Sequence, residues 1–142
     1  MGRRASREMA MKLLYQLEIQ RDDREQQIKD ALDESDATKK DTEYINDVIK
    51  GVSENHEYID KLIEKFSKGW KLNRISKVDL SILRLSIYEL LYRDDIPVNV
   101  SINEAVELAK KYSSEDAGAF INGILAKVVS DVKVENAGIS KE

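Results

Sequence analysis

Apolar positions along this chain recur three and four residues apart and nowhere alternate long enough to build a sheet. From Arg3 or Ser6 to Gln20, Ala5, Met9, Leu13 and Leu17 fall at spacing four and predict the core stripe of a first helix. A weaker pattern covers Arg24 to Leu32. The polar stretch DESDATKKDTE reads as a loop ending at a helix start, with Thr38 as cap and Asp41 three residues on. Tyr44, Ile45, Val48, Ile49 and Val52 give the stripe that follows. Asn55 reads as the next cap, before Tyr58, Ile59, Leu62, Ile63 and Phe66.

SKGWKLNRI reads as an irregular connector, with Trp70 expected to plug it onto the core. Ser76 then caps SKVDLSILRLSIYELLYR, with Asp79 in its first turn. Val78, Leu80, Ile82, Leu83, Leu85, Ile87, Leu90 and Leu91 cover nearly every face of that segment, which predicts a central helix packed on several sides. Arg84 interrupts it and predicts an acidic partner, Glu104 or Glu89. DDIP ends the helix, because the residue before proline leaves the helical region. Ser101 and Glu104 read as a capping box for SINEAVELAKKY. SSEDAG opens the last helix, with Ser113 or Ser114 as cap and Phe120, Ile121, Ile124, Leu125 and Val128 as stripe. After Asp131 the pattern fades. The expectation is one domain over residues 1–131 and a flexible tail over 132–142.

Composition sharpens this picture. One proline and six glycines in 142 residues point to an all-α chain. The absence of cysteine excludes disulfides, thiolate nucleophiles and cysteine-based zinc sites, and makes a reducing, cytoplasmic setting the expectation. His56 sits among polar neighbours in SENHEYID and reads as a surface residue; one histidine makes no His-rich metal site. No glycine-rich phosphate loop, nucleophile elbow or zinc-protease motif is present, so the expectation is a non-enzyme without metal or cofactor. No run approaches the ~20 apolar residues of a membrane span, and Glu8 and Lys12 break any apolar signal-peptide core.

Charge is unevenly placed. Residues 1–12 hold Arg3, Arg4, Arg7 and Lys12 against Glu8 alone, on a chain whose net charge is −4. This reads as a basic arm on an acidic body. Cations at a helix N-terminus are disfavoured by roughly 0.3–1 kcal/mol each, so these arginines call for something outside the helix. At about 100° per residue, Arg3, Arg4 and Arg7 share one arc, and Arg4, Arg7, Met11 and Tyr15 form one face. Guanidinium groups bind phosphate and stack on bases, and an exposed tyrosine stacks on bases too, which suits single-stranded RNA. The alternative is a solvated helix start with Tyr15 in the core. Lys110 and Lys111, just before SSEDAGAF, add positive charge near a helix start that can receive an anion, with capping and a core Phe120 as the alternative. MGRRAS also fits the N-myristoylation pattern, which is short and matches by chance.

The run ILRLSIYELLYRDDIPVNVSINEAVELAKKYSSEDAGAFINGIL strongly resembles the NusB family of transcription antitermination factors. RRASREMAMKLLYQLEI, YINDVIKGVSENHEYIDKLI and the tryptophan after them resemble the same family in the same order. The likeness runs from about residue 3 to 128 and is weak over 21–38. Some RNA methyltransferases carry a similar N-terminal helical domain; no catalytic domain follows here, so the chain resembles the stand-alone factor. The resemblance implies an all-α fold of about seven helices in two small packed bundles. It implies binding to boxA, a single-stranded signal in nascent ribosomal RNA leaders, together with the ribosomal protein NusE. It further implies entry into the RNA polymerase antitermination complex through other Nus factors. By resemblance Arg3, Arg4, Arg7 and Tyr15 fall in the RNA motif, Asp116 and Phe120 in a second RNA patch, and Asp79 in the NusE contact. Lys110 and Lys111 are expected to add electrostatic help. The competing class is a helical protein adaptor whose arginines meet only an acidic protein.

Overall fold

The computed structural model describes the backbone of residues 1–140 and the side chains of residues 1–132. It holds seven α-helices in the described residues: α1 (Arg3–Ile19), α2 (Arg24–Asp33), α3 (Lys39–Glu54), α4 (His56–Phe66), α5 (Lys77–Tyr92), α6 (Val98–Tyr112) and α7 (Glu115–Ser140). A single 3-10 turn, Leu72–Arg74, leads into α5, and no strand occurs in the described residues. Helices α1–α3 form one group and α4–α7 a second, with α5 packed against members of both. The all-α architecture is as expected, and α5 is the central helix: Leu80, Ile82, Leu83, Leu85 and Ile87 are buried on successive faces. The backbone of α7 continues beyond Asp131 to Ser140. Val132, the first residue of the expected tail, packs half-buried against the core, and the side chains of 133–142 lie outside the described residues.

Several helix ends follow from local chemistry. Thr38 and Asp41 form the expected capping box, each side chain accepting from the other's backbone N–H at 3.2 and 2.9 Å. Ser76 accepts from the N–H of Asp79 at 3.1 Å, as expected. Ser114, rather than Ser113, accepts from the N–H of Ala117. Three expectations are corrected. Helix α6 begins at Val98, three residues before the expected box, behind Pro97, whose fixed φ suits a helix start. Ser101 therefore lies inside the helix and donates to buried Glu89. Asn55 precedes α4 but makes no side-chain cap; it donates back to the carbonyl of Gly51, closing α3 instead. Trp70 does not plug the core: it is 52% exposed on a turn in which Lys68 and Gly69 have φ of 53° and 86°. Glycine takes that conformation without strain.

One close approach fixes how α3 meets α5. A Cβ built on Gly51 would fall 2.0 Å from the Tyr88 ring. Only glycine lets the ring approach α3 this closely, where its hydroxyl donates to Asp47 at 2.9 Å. Burial and Asp47 together push the Tyr88 hydroxyl up to about 12.

Candidate nucleic-acid interface

The three N-terminal arginines part company in the fold. Arg7 is only 2% exposed. Its Nε and Nη2 donate to the two oxygens of Glu89 at 2.8 and 3.3 Å. Tyr44 from α3 and Ser101 from α6 also donate to Glu89, so one buried carboxylate ties α1, α3, α5 and α6 together. Burial alone would lower the Arg7 pKa, but Glu89 outweighs it and the net shift is upward. Burial also drives the Tyr44 hydroxyl far above its ordinary value, with the Glu89 charge adding to the effect. Both groups keep one protonation state across the physiological range.

Arg3 is half-buried. Its guanidinium lies 4.5 Å from the centroid of the Tyr44 ring and 3.9 Å from Asp95. Arg4 is the arginine that faces out, with 76% of its side chain exposed and Glu104 as its partner among the described residues, at 3.1 Å. The cost of placing cations at the start of α1 is thus offset within the protein by carboxylates of α5 and α6 and by Asp95.

The expected stripe of α1 is rotated. Ala10, Met11, Leu13, Leu14 and Leu17 are buried, whereas Ala5 is exposed and Met9 is only half-buried. Met11 therefore belongs to the core, and the expected outer face Arg4–Arg7–Met11–Tyr15 is broken in its middle. Tyr15 itself is 37% exposed and points away from the core. The outward face of α1 runs instead through Arg4, Glu8, Lys12 and Tyr15.

Packing of α6 brings the second candidate patch beside this face. Lys111 reaches Glu8 across 103 positions of sequence, with Nζ 3.0 Å from Oε2. Tyr112 donates its hydroxyl to Glu8, and Lys12 lies 5.2 Å over the Tyr112 ring. These donors, the tyrosine first, hold the Glu8 carboxyl below its usual range, and the same ring and carboxylate raise Lys12. Helix α7 starts directly after this corner, with Asp116 exposed and Phe120 half-buried against the core. Lys110 is exposed and 4.0 Å from Glu107. Arg3, Arg4, Tyr15, Lys110, Lys111, Asp116 and Phe120 all keep some exposure, and Arg7 does not face solvent. Lys12, Glu8 and Tyr112 join this face although the sequence reading does not single them out for it. Their sequence signal was the Arg4–Glu8–Lys12 spacing of four; the long-range partners had no local signal.

Other candidates resolve differently. Arg84 does not pair with Glu104 or Glu89: it forms a two-pronged bond with Asp60 at 2.9 and 3.1 Å and a third with Glu18 at 3.2 Å. Glu89 is taken by Arg7, and Glu104 by Arg4, with Arg7 within 3.8 Å. Asp79 is half-buried at the first turn of α5, its Oδ1 without a hydrogen-bond partner among the described residues. His56 is exposed, with Nδ1 3.0 Å from the Ser53 carbonyl. Among the described residues no helix is long and apolar enough to cross a membrane, and no His, Cys, Asp and Glu group is arranged to hold a metal.

Fold and surface together define an all-helical domain with a mixed basic and aromatic face. The family model described as NusB matches residues 4–130, and the chain belongs to the NusB family. It is 68% identical over 137 residues to the transcription antitermination protein NusB of Acetivibrio thermocellus, covering 96% of this chain and 94% of that one. Its structure is similar to NusB of T. maritima, with a TM-score of 0.85 at 44% identity and 92% of each chain covered. It is also similar to a chain in the crystal structure of antitermination factors NusB and NusE in complex with dsRNA. That match has a TM-score of 0.81 at 28% identity and covers 91% of this chain and 96% of the other.

Proposed function

We propose that this chain acts in transcription antitermination by binding boxA RNA jointly with NusE, and that the pair enters the RNA polymerase complex through other Nus factors. The observation that carries the RNA assignment is the Lys111–Glu8 contact, which joins the outer face of α1 to the end of α6 and the start of α7. Around it the exposed Arg4, Lys12 and Lys111 form the cationic part of the proposed surface, with Tyr15 farther along α1 and the half-buried Phe120 in the first turns of α7 as its aromatic parts. The exposed cations supply phosphate contacts, and Tyr15 supplies a stacking surface. Arg3 contributes from the edge, Lys110 adds charge, and Asp116 accepts from base amino groups. Arg7 acts from inside by anchoring α1 on Glu89. The similarity to a NusB chain in a complex with NusE and RNA supports both partners. Asp79, with an unpaired carboxylate oxygen, is assigned to the basic ribosomal protein, and the acidic body speeds that encounter.

Amide shift mapping tests this. Adding a boxA-like single-stranded RNA to the chain with NusE should perturb the outer face of α1, the end of α6 and the first turns of α7. Perturbation confined to the Trp70 turn, or no RNA-dependent change, would contradict it and favour a protein adaptor that makes no RNA contact.

A further inference from the structure

Between α1 and α2 runs an open groove of about 680 Å³. Its floor is apolar: Ala5, Met9 and Leu13 of α1 face Ala31 of α2. It stays open because α2 packs shallowly; none of its residues is fully buried. This is also the direction in which the α1 stripe departs from the sequence expectation, since Ala5 and Met9 line the groove instead of the core.

The rim has two unlike sides. On one side stand Arg4 and Lys12, which also belong to the outer face of α1. On the other stand Glu34 and Ser35, just past the end of α2, while Gln16 closes the far end by donating to Gln27 at 2.7 Å. Glu8 lies between, but its charge is taken by Lys111, Lys12 and Tyr112. Cations on one rim, an apolar floor and hydrogen-bonding groups on the other match the order of parts in a nucleotide strand: phosphate, base face, base edge.

We propose that the α1–α2 groove receives one or two unstacked bases of the bound RNA and is where this chain reads sequence. Phosphates lie along Arg4 and Lys12, and the base plane rests on Ala5, Met9 and Ala31. Glu34 accepts from an exocyclic amino group, which favours adenine, cytosine or guanine over uracil. This rests on the RNA reading above and adds α2 to the site, an element that the basic motif does not include.

The test uses full-length chain with NusE and a set of boxA-like RNAs, each lacking one base. In the wild type, removal of the base that occupies the groove should weaken binding about tenfold. Ala5→Leu with Ala31→Leu thickens both walls with a good helix former. The double variant should bind intact RNA about tenfold more weakly yet bind the RNA lacking that base as the wild type does. Ala5→Leu alone, at an exposed position, gives the same comparison if the double variant unfolds. Glu34→Gln should reduce discrimination against uracil at that position. The groove assignment is overturned if the Leu variants bind intact RNA as tightly as the wild type, or if their loss is the same for every RNA in the set. Failure of the RNA reading itself looks different: the wild-type chain with NusE would bind none of the RNAs.

Discussion

Two arginines three positions apart carry opposite duties. Arg7 neutralises a buried carboxylate of α5 that two other helices also reach, and removing it leaves the Glu89 charge buried without a cation. Arg7→Ala should therefore destabilise the fold by about 3–5 kcal/mol, read from chemical denaturation. Arg4→Ala, at an exposed surface pair, should change stability by no more than about 1 kcal/mol. Equal losses for the two would contradict the division. Asp41 gives a pH signature. The Thr38 N–H, the amino terminus and the hydroxyls of Thr38 and Ser6 hold its pKa down to about 2, against an ordinary 3.8. A carboxyl depressed in the folded state stabilises above its unfolded pKa and loses that contribution as pH falls through the folded one. Stability should decline from about pH 4 to about pH 2, and Asp41→Asn should flatten that part of the curve.

At the scale of elements, the meeting of α3 and α5 depends on Gly51. Gly51→Ala puts a methyl group into the Tyr88 ring, and should lower stability by about 1–3 kcal/mol. Tyr88→Leu in the same chain should recover part of the loss in Tm; no recovery would argue against the close approach as the cause. Element type was legible in the sequence because periodicity and capping are local. Thr38 with Asp41, and Ser76 with Asp79, each act within one turn. Rotation of a helix about its own axis was less legible. The stripe Ala5–Met9–Leu13–Leu17 is as regular as the buried one, and only the position of α3 and α5 decides between them. The box at Ser101 and Glu104 failed for the same reason: Glu89 and Arg4 take those side chains from other helices. The apolar surroundings of Arg84 call for an acidic partner, yet the partners it finds lie 24 and 66 positions away.

For the whole molecule, the acidic average hides a face assembled from the two ends of the chain. The basic opening segment and the resemblance pointed to that face, and Tyr15 proved exposed as the RNA reading requires. The sequence did not show that Arg7 turns inward while Lys12 takes its place, because that depends on Glu89 and Tyr112 arriving from elsewhere. The most direct measurement is the salt dependence of boxA RNA affinity with NusE present, compared between wild type and Arg4→Ala. Each lost phosphate contact should lower the slope of log K against log salt by about 0.7 for a single strand. The account predicts weaker binding and a slope reduced by about that amount in Arg4→Ala, with the fold unchanged. An affinity and slope equal to the wild type's would contradict it.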